Sequence, residues 1–326
     1  MKVKLGCCYS TLVCVLGRKK KGGAMRVKKL NNWLTRVLLI CLLALVLLGG
    51  FCQNPYHTNP NLKLLVGDTI SNSTHNFNPV VSSDGNKVYY LSISTDNWTG
   101  FYDEQVGSIY CVNIDGSNAH EILAGMYNNL AISPDGEKLA CRSYNKGPYG
   151  ELRAESLIVI MNLVQGNVES LWISSKEPIK KLVWSNDGDY LYYLTSNAIT
   201  RLYLQDSTEE IVALVNGVVG FDLFKNDSVY TDSTIWNSEV EPVNQRYVIG
   251  TSGIYSQQFL MRDIQKDSLF TLPDSLEPYY SSWVGQPYWC PDGNVIVFSS
   301  AEIGGGAPGG DAAEIWILEN VFEQIQ

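Results

Sequence analysis

The first 67 residues of this 326-residue chain contain no aspartate or glutamate, and the whole chain holds only three histidines, His57, His75 and His120. The three fall far apart, with no His-x-His or His-Glu-x-x-His spacing, so a zinc site of the usual kind is not expected. Cysteine is sparse beyond the amino-terminal segment: Cys52, Cys111, Cys141 and Cys290 give no Cys-x-x-Cys pair and no even disulfide framework, and the last three sit in strand-like runs as small apolar residues. The longest apolar run, Val37–Phe51, has fifteen residues, short of the roughly 20 that a comfortable membrane-spanning helix needs. Gly250-Thr-Ser-Gly253 lacks the spacing of a nucleophile elbow, and the glycine-rich stretch Gly304–Gly310 lacks the Lys-Ser/Thr of a phosphate loop. Asn186-Asp-Gly-Asp189 lacks the distal glutamate of a calcium loop. These absences leave no catalytic or metal-binding motif and no reason to expect a cofactor.

What is present is a phrase that recurs: Phe77-Asn-Pro-Val-Val-Ser-Ser-Asp-Gly85, Asn129-Leu-Ala-Ile-Ser-Pro-Asp-Gly136, Lys181-Leu-Val-Trp-Ser-Asn-Asp-Gly188 and Gln286-Pro-Tyr-Trp-Cys-Pro-Asp-Gly293. Each copy is followed by an apolar run, such as Lys87-Val-Tyr-Tyr-Leu-Ser or Asn294-Val-Ile-Val-Phe-Ser. A strand, a turn closed by Asp-Gly and a second strand make a hairpin, because glycine takes the positive φ that the turn requires without steric cost. The repeat turns are Asp84 and Gly85, Asp135 and Gly136, Asp187 and Gly188, Asp292 and Gly293. A third run follows in most copies and a weaker fourth in three, as in Ser108–Ile114 and His120–Leu123. Four short antiparallel strands per repeat is the composition of a propeller blade. Successive aspartates lie 51, 52 and 105 residues apart, so the count gives five blades, with one copy decayed between Val218 and Pro273. If remnants near Asp227 and Asn244 are separate units, the count is six.

The Ser-Pro-Asp-Gly phrase between two apolar strands resembles the WD-like repeat of the TolB family of β-propellers, over roughly residues 62–319. The resemblance implies an all-β propeller of six four-stranded antiparallel blades and a protein-binding role. It stops at the propeller, since no α/β amino-terminal domain lies between the leader and residue 62. Ser83 and Asn186 depart from the pattern where proline is usual. Leu62–Val66 precedes the first repeat without a partner and is expected to supply the outer strand of the last blade, coupling the termini.

The ends complete the plan: a basic leader with a signal or anchor segment over 1–52, a linker over 53–61, the propeller over 62–319 and a tail over 320–326. Ten Lys or Arg precede Val37 and the apolar run, the pattern of a secretory signal. The chain is therefore expected outside the cytoplasm, periplasmic or at the cell surface, held at the membrane by its amino-terminal segment. Cys52 is a candidate for lipidation; since Phe51 is not the small residue that precedes a lipidated cysteine, the competing outcomes are the uncleaved apolar run as anchor and cleavage after Gly50 or Cys52 without lipid. Residues 37–326 carry 14 basic against 33 acidic residues, a net charge of −19, which should repel nucleic acid. The leading expectation is a non-enzymatic cell-envelope scaffold that takes a protein or peptide at the channel face. The alternative is a propeller enzyme or carbohydrate-binding protein acting on a surface polysaccharide.

Overall fold

The computed structural model describes residues 59–67, 74–94, 106–146, 152–173, 177–253, 256, 258–273, 282–302 and 313–324. Its first strand, β1 (Leu62–Val66), waits for a partner from the far end of the chain. β2 (Thr74–Val81), β3 (Lys87–Ser94), β4 (Gly107–Asn113) and the first half of β5 (His120–Ile132) pair antiparallel in sequence order. The second half of β5 pairs instead with β6 (Lys138–Lys146), which is followed by β7 (Leu152–Asn162) and β8 (Val168–Trp172). Two four-stranded units thus share one bent strand, and the bend lies at Gly125, whose φ is +153°.

β9 (Lys181–Trp184), β10 (Tyr190–Leu194), β11 (Ala198–Tyr203) and β12 (Glu209–Leu214) make the next four-stranded sheet. β13 (Gly220–Leu223) and β14 (Val229–Asp232) then form a sheet of two strands only, among the described residues. A four-stranded sheet of β15 (Trp236–Val240), β16 (Tyr247–Thr251), β17 (Phe259–Asp263) and β18 (Ser268–Thr271) follows. The last sheet holds β19 (Ser282–Trp289), β20 (Ile296–Glu302) and β21 (Glu314–Leu318), with β1 as its fourth strand. Leu62 pairs with Leu318 and Leu64 with Trp316, so the clasp expected of Leu62–Val66 is present. The innermost strands β2, β5, β9, β13, β15 and β19 each contact the next, and β19 returns to β2. This closed cycle of antiparallel sheets is a β-propeller, formed within the compact unit Pro55–Gln326.

The core lies between the sheets. Tyr89, Leu91 and Ile109 meet Leu139, Cys141 and Val159 across one seam, and Ile249, Phe259 and Met261 meet Phe298 and Trp316 across another. Period-two alternation makes this possible: each strand sends successive apolar side chains to opposite neighbours. In the third sheet, Leu191 and Tyr193 face the sheet before it, while Tyr192 and Leu194 face β13. Trp184 and Trp289 each donate an indole N–H to a backbone carbonyl of an earlier unit, Ala131 at 3.0 Å and Glu239 at 3.2 Å.

The stretch from Val218 to Pro273, read either as one decayed repeat or as two remnants near Asp227 and Asn244, holds two sheets, the two-stranded pair and β15–β18, with a turn at each remnant. Within the tail over 320–326, Asn320 donates to Asn61, and Val321–Gln324 forms a short helix, α1. Val321 is fully buried and Phe322 stacks on Trp289. Apolar residues at both positions explain the docking. Among the described residues no helix is long and apolar enough to cross a membrane, and the leader with Cys52 and His57 lies outside them.

Candidate functional site at the turn end of the channel

The recurring turns all lie between an innermost strand and the next strand outward, so they gather at one end of the channel. Gly85, Gly136, Gly188 and Gly293 take φ of +73°, +74°, +77° and +71°. Three turns share one hydrogen-bond scheme. The hydroxyls of Ser82, Ser133 and Ser185 donate to Asp84, Asp135 and Asp187 at 2.6, 2.5 and 2.6 Å. Each aspartate also accepts the backbone N–H two residues on. The serine hydroxyl, with backbone and side-chain donation from Asn86, holds the Asp84 carboxyl down to about 2. Asp135 and Asp187 are lowered chiefly by their serines. In the fourth copy Cys290 replaces the serine, and Asp292 keeps the bond from the Asn294 N–H. These aspartates and glycines are turn architecture.

The two hidden turns use other residues for the same geometry. In Phe224–Ser228, Asn226 accepts the Ser228 N–H in the aspartate's place, and Asp227 takes the glycine's positive φ at +59°. In the hairpin from Glu241 to Tyr247, Pro242 follows at the usual proline position, the Glu241 carboxylate accepts the N–H groups of Val243 and Asn244, and Gln245 takes φ +56°.

Six turn residues, Ser83, Pro134, Asn186, Lys225, Pro242 and Pro291, frame a funnel of about 370 Å³. Its floor is built from inner strands: Lys181 on β9, Asp222 on β13, Glu239 on β15 and Tyr288 on β19. Lys181 Nζ lies 2.6 Å from Glu239 Oε1 and donates to the Ser238 carbonyl at 2.5 Å. Burial works against the Lys181 ammonium, but Asp222 and Glu239 outweigh it and hold its pKa above the ordinary value. Burial pushes Glu239 up against the pull of Lys181, with Asp222 adding to the rise. Burial also drives the Tyr288 phenol well above its usual value. Asp222 is spent on backbone: Oδ1 accepts the Leu223 N–H at 2.8 Å and Oδ2 the Val240 N–H at 2.6 Å.

Deeper along the axis the inner strands carry a second repeated device. Asn78, Asn129, Asn237 and Gln286 take φ of 50–54° at bulges where the ladder slips. Asn129 Nδ2 donates to the Ile179 carbonyl at 2.7 Å, and Gln286 Oε1 accepts the Asn78 N–H at 2.6 Å, stitching neighbouring units. These residues line a pocket of about 40 Å³ with Lys180 and Lys181. Neither the bulges nor the charged floor was expected from the sequence. Asn-Pro at 78–79 and Gln-Pro at 286–287 were a signal for the first, since proline inside a strand marks a bulge.

The other candidates lie apart from the funnel. Burial lowers His75 to about 4, its ring stacked on Phe77, while His120 is exposed. Cys111, Cys141 and Cys290 are free and buried, and burial raises all three thiols, Cys290 to about 12, away from thiolate chemistry. Gly250 and Thr251 end β16, and Gly304–Gly310 falls outside the described residues. Among the described residues no three His, Cys, Asp or Glu side chains group to hold a metal ion.

No family model matches the sequence, and no curated protein does. Solved structures do match. A gluconolactonase from Xanthomonas campestris superposes with a TM-score of 0.52 at 12% identity, over 81% of this chain and 91% of that one. TolB from Acinetobacter baumannii matches with a TM-score of 0.39 at 16% identity, over 75% of this chain and 54% of that one. The chain thus spans about half the length of that TolB. At such identities the likeness shows the β-propeller fold alone.

Proposed function

We propose that this chain is a non-enzymatic binding module of the cell envelope, exported by its leader, that takes a protein or peptide partner at the funnel. The observation that carries the reading is that Lys181 and Asp222, two of the three charged groups of the floor, are bonded within the protein. Lys181 is held by Glu239 and a carbonyl, and Asp222 by two backbone N–H groups. A general base needs a free lone pair within reach of substrate, whereas a rigid frame with a polar, walled mouth suits recognition by loops. The basic leader and apolar run support export, with an acyl chain on Cys52 or the uncut run as anchor.

A second reading, a propeller enzyme or carbohydrate-binding protein for a surface polysaccharide, draws on one feature: Glu239 is raised by burial beside a lysine, as catalytic carboxylates are. One experiment separates the two. A photo-crosslinking amino acid at Ser83 or Lys225, on the funnel rim, should trap a discrete envelope protein, while the same group at Val164, on the outer surface, should not. Equal trapping at all three sites, or turnover of a lactone or polyanionic glycan that Glu239→Gln abolishes, overturns the scaffold reading.

A further inference from the structure

We propose that the outer half of the two-stranded sheet is a docking recess for an extended, basic segment of a partner protein, which adds to β14 as a third strand. The proposal stands on different residues from the funnel and does not depend on it. Its basis is the pairing of β14. The hairpin closes with the Phe224 N–H on the Ser228 carbonyl, and Asp222 is opposite Tyr230. Bonded and non-bonded pairs alternate in an antiparallel ladder, so Tyr230 and Asp232 face β13, while Val229 and Thr231 turn their N–H and C=O outward. Among the described residues nothing pairs with that outward edge; Thr231 is exposed and Val229 half-buried.

Among the described residues the other sheets also end in open edges, but at the fourth strand, on the outer rim. This edge lies at the second strand, between two sheets that continue two strands farther. At a strand spacing of about 4.8 Å, the edge is recessed by roughly 10 Å between walls. A second folded copy cannot bring its own edge down to β14, because its flanking sheets would meet these walls first. An extended segment can enter, and its backbone would satisfy the outward groups as in strand addition.

The walls define its side chains. On one wall β18 presents Leu269, 42% exposed, in register with Arg262, whose guanidinium reaches Asp232 on β14. On the other wall Ala213 packs toward the two-stranded sheet and Val212 beside it is 41% exposed. Apolar residues on the added strand would cover these. The mouth carries the exposed carboxylates of Glu210 and Asp267, 66% and 92% exposed, while Arg201 and Arg262, their ion-pair partners, are 34% and 24% exposed. The accessible charge is therefore acidic, and lysine or arginine at the segment's ends would complement it.

The test uses the full chain and an acetylated, amidated eight-residue peptide of six valine or threonine residues with a lysine at each end. Amide hydrogen exchange at Val229 and Thr231 should slow by about tenfold or more when the peptide is added, with Tyr230 unchanged. The same peptide N-methylated at alternate residues, unable to complete the ladder, should give no protection. Thr231→Pro should abolish binding of the unmodified peptide. The proposal is overturned if Val229 and Thr231 already exchange as slowly as Tyr230 in the chain alone. It is equally overturned if the peptide leaves them unchanged, or if the N-methylated peptide protects them as well.

Discussion

Asn186 donates twice to Asp227, from its backbone N–H at 2.8 Å and from its side-chain amide at 2.5 Å. Asn186 stands where the repeat usually has proline, and Asp227 stands where it usually has glycine. The two departures compensate one another across neighbouring turns. Asn186→Pro, which restores the usual repeat residue, should therefore destabilise the protein by about 0.5–1.5 kcal/mol, since it removes both donors from a carboxylate that water then hydrates in part. Urea denaturation checks this, and an unchanged midpoint would show that the pair contributes nothing.

The repeat glycines make a sharper comparison. At Gly188 an added Cβ meets nothing within 4 Å, whereas at Gly136 it lies 2.3 Å from Ser83 Oγ; φ is nearly the same, +77° and +74°. Gly188→Ala isolates the cost of a left-handed backbone, about 1–2 kcal/mol. Gly136→Ala should cost more by whatever Ser83 cannot yield, and Gly136→Ala with Ser83→Gly should return to the Gly188→Ala value.

How much of this was open to sequence reading follows from which residues carry local chemistry. The hairpins were readable because Asp-Gly and alternating apolar runs are local signals, and the clasp because Leu62–Val66 is a strand without a neighbour. β15 was missed because Trp236-Asn-Ser-Glu-Val240 reads as polar: Asn237 bulges at φ +50° and Glu239 points to the channel. The floor was missed because Lys181, Asp222 and Glu239 come from three separate repeats, and no local pattern announces that they converge. Gly220 likewise looks like any turn glycine. In the fold a Cβ there would sit 2.0 Å from the Ile235 carbonyl, so its absence is what lets β13 approach β15.

Stability should fall in acid through the serine-held turns. Asp84, lowered to about 2, and Asp135 and Asp187, each held below the ordinary carboxylate value by its serine, bind protons less readily folded than unfolded. Their contribution is fully present above the unfolded value near pH 4 and is lost as pH falls toward 2. Urea midpoints should drop between about pH 4 and pH 2. The triple variant Ser82→Ala, Ser133→Ala, Ser185→Ala should start lower at neutral pH and drop less. A triple variant with the undiminished acid limb would assign that limb to other carboxylates.

The clasp should set global stability. Deleting residues 59–66 removes the strand paired with β21 and the bond from the Glu319 N–H to the Asn61 carbonyl, and it exposes the β21 edge. The melting temperature should fall by about 5 °C or more, since the deletion removes the half-buried Leu62, Leu65 and Val66 from the seams they cover and unpairs β21, a loss of several kcal/mol. The Lys63–Glu319 ion pair is exposed, so Lys63→Ala alone should change little.

The Lys181–Glu239 pair decides between the two functional readings. Its side chains are 14% and 18% exposed, so removing one partner strands the other in a poorly solvated channel. Lys181→Met and Glu239→Gln should each cost about 3–5 kcal/mol. The double variant should cost less than either single change, because no unpaired charge is left between them, although Asp222 then loses a neighbouring cation. If the pair is structural, the double variant should keep its crosslinked partner at the rim positions Ser83 and Lys225, with unchanged yield once folded. If the pair is chemical, the double variant should fold and lose all turnover of its substrate. The outcome is read on one stable protein, so loss of function cannot be confused with loss of fold.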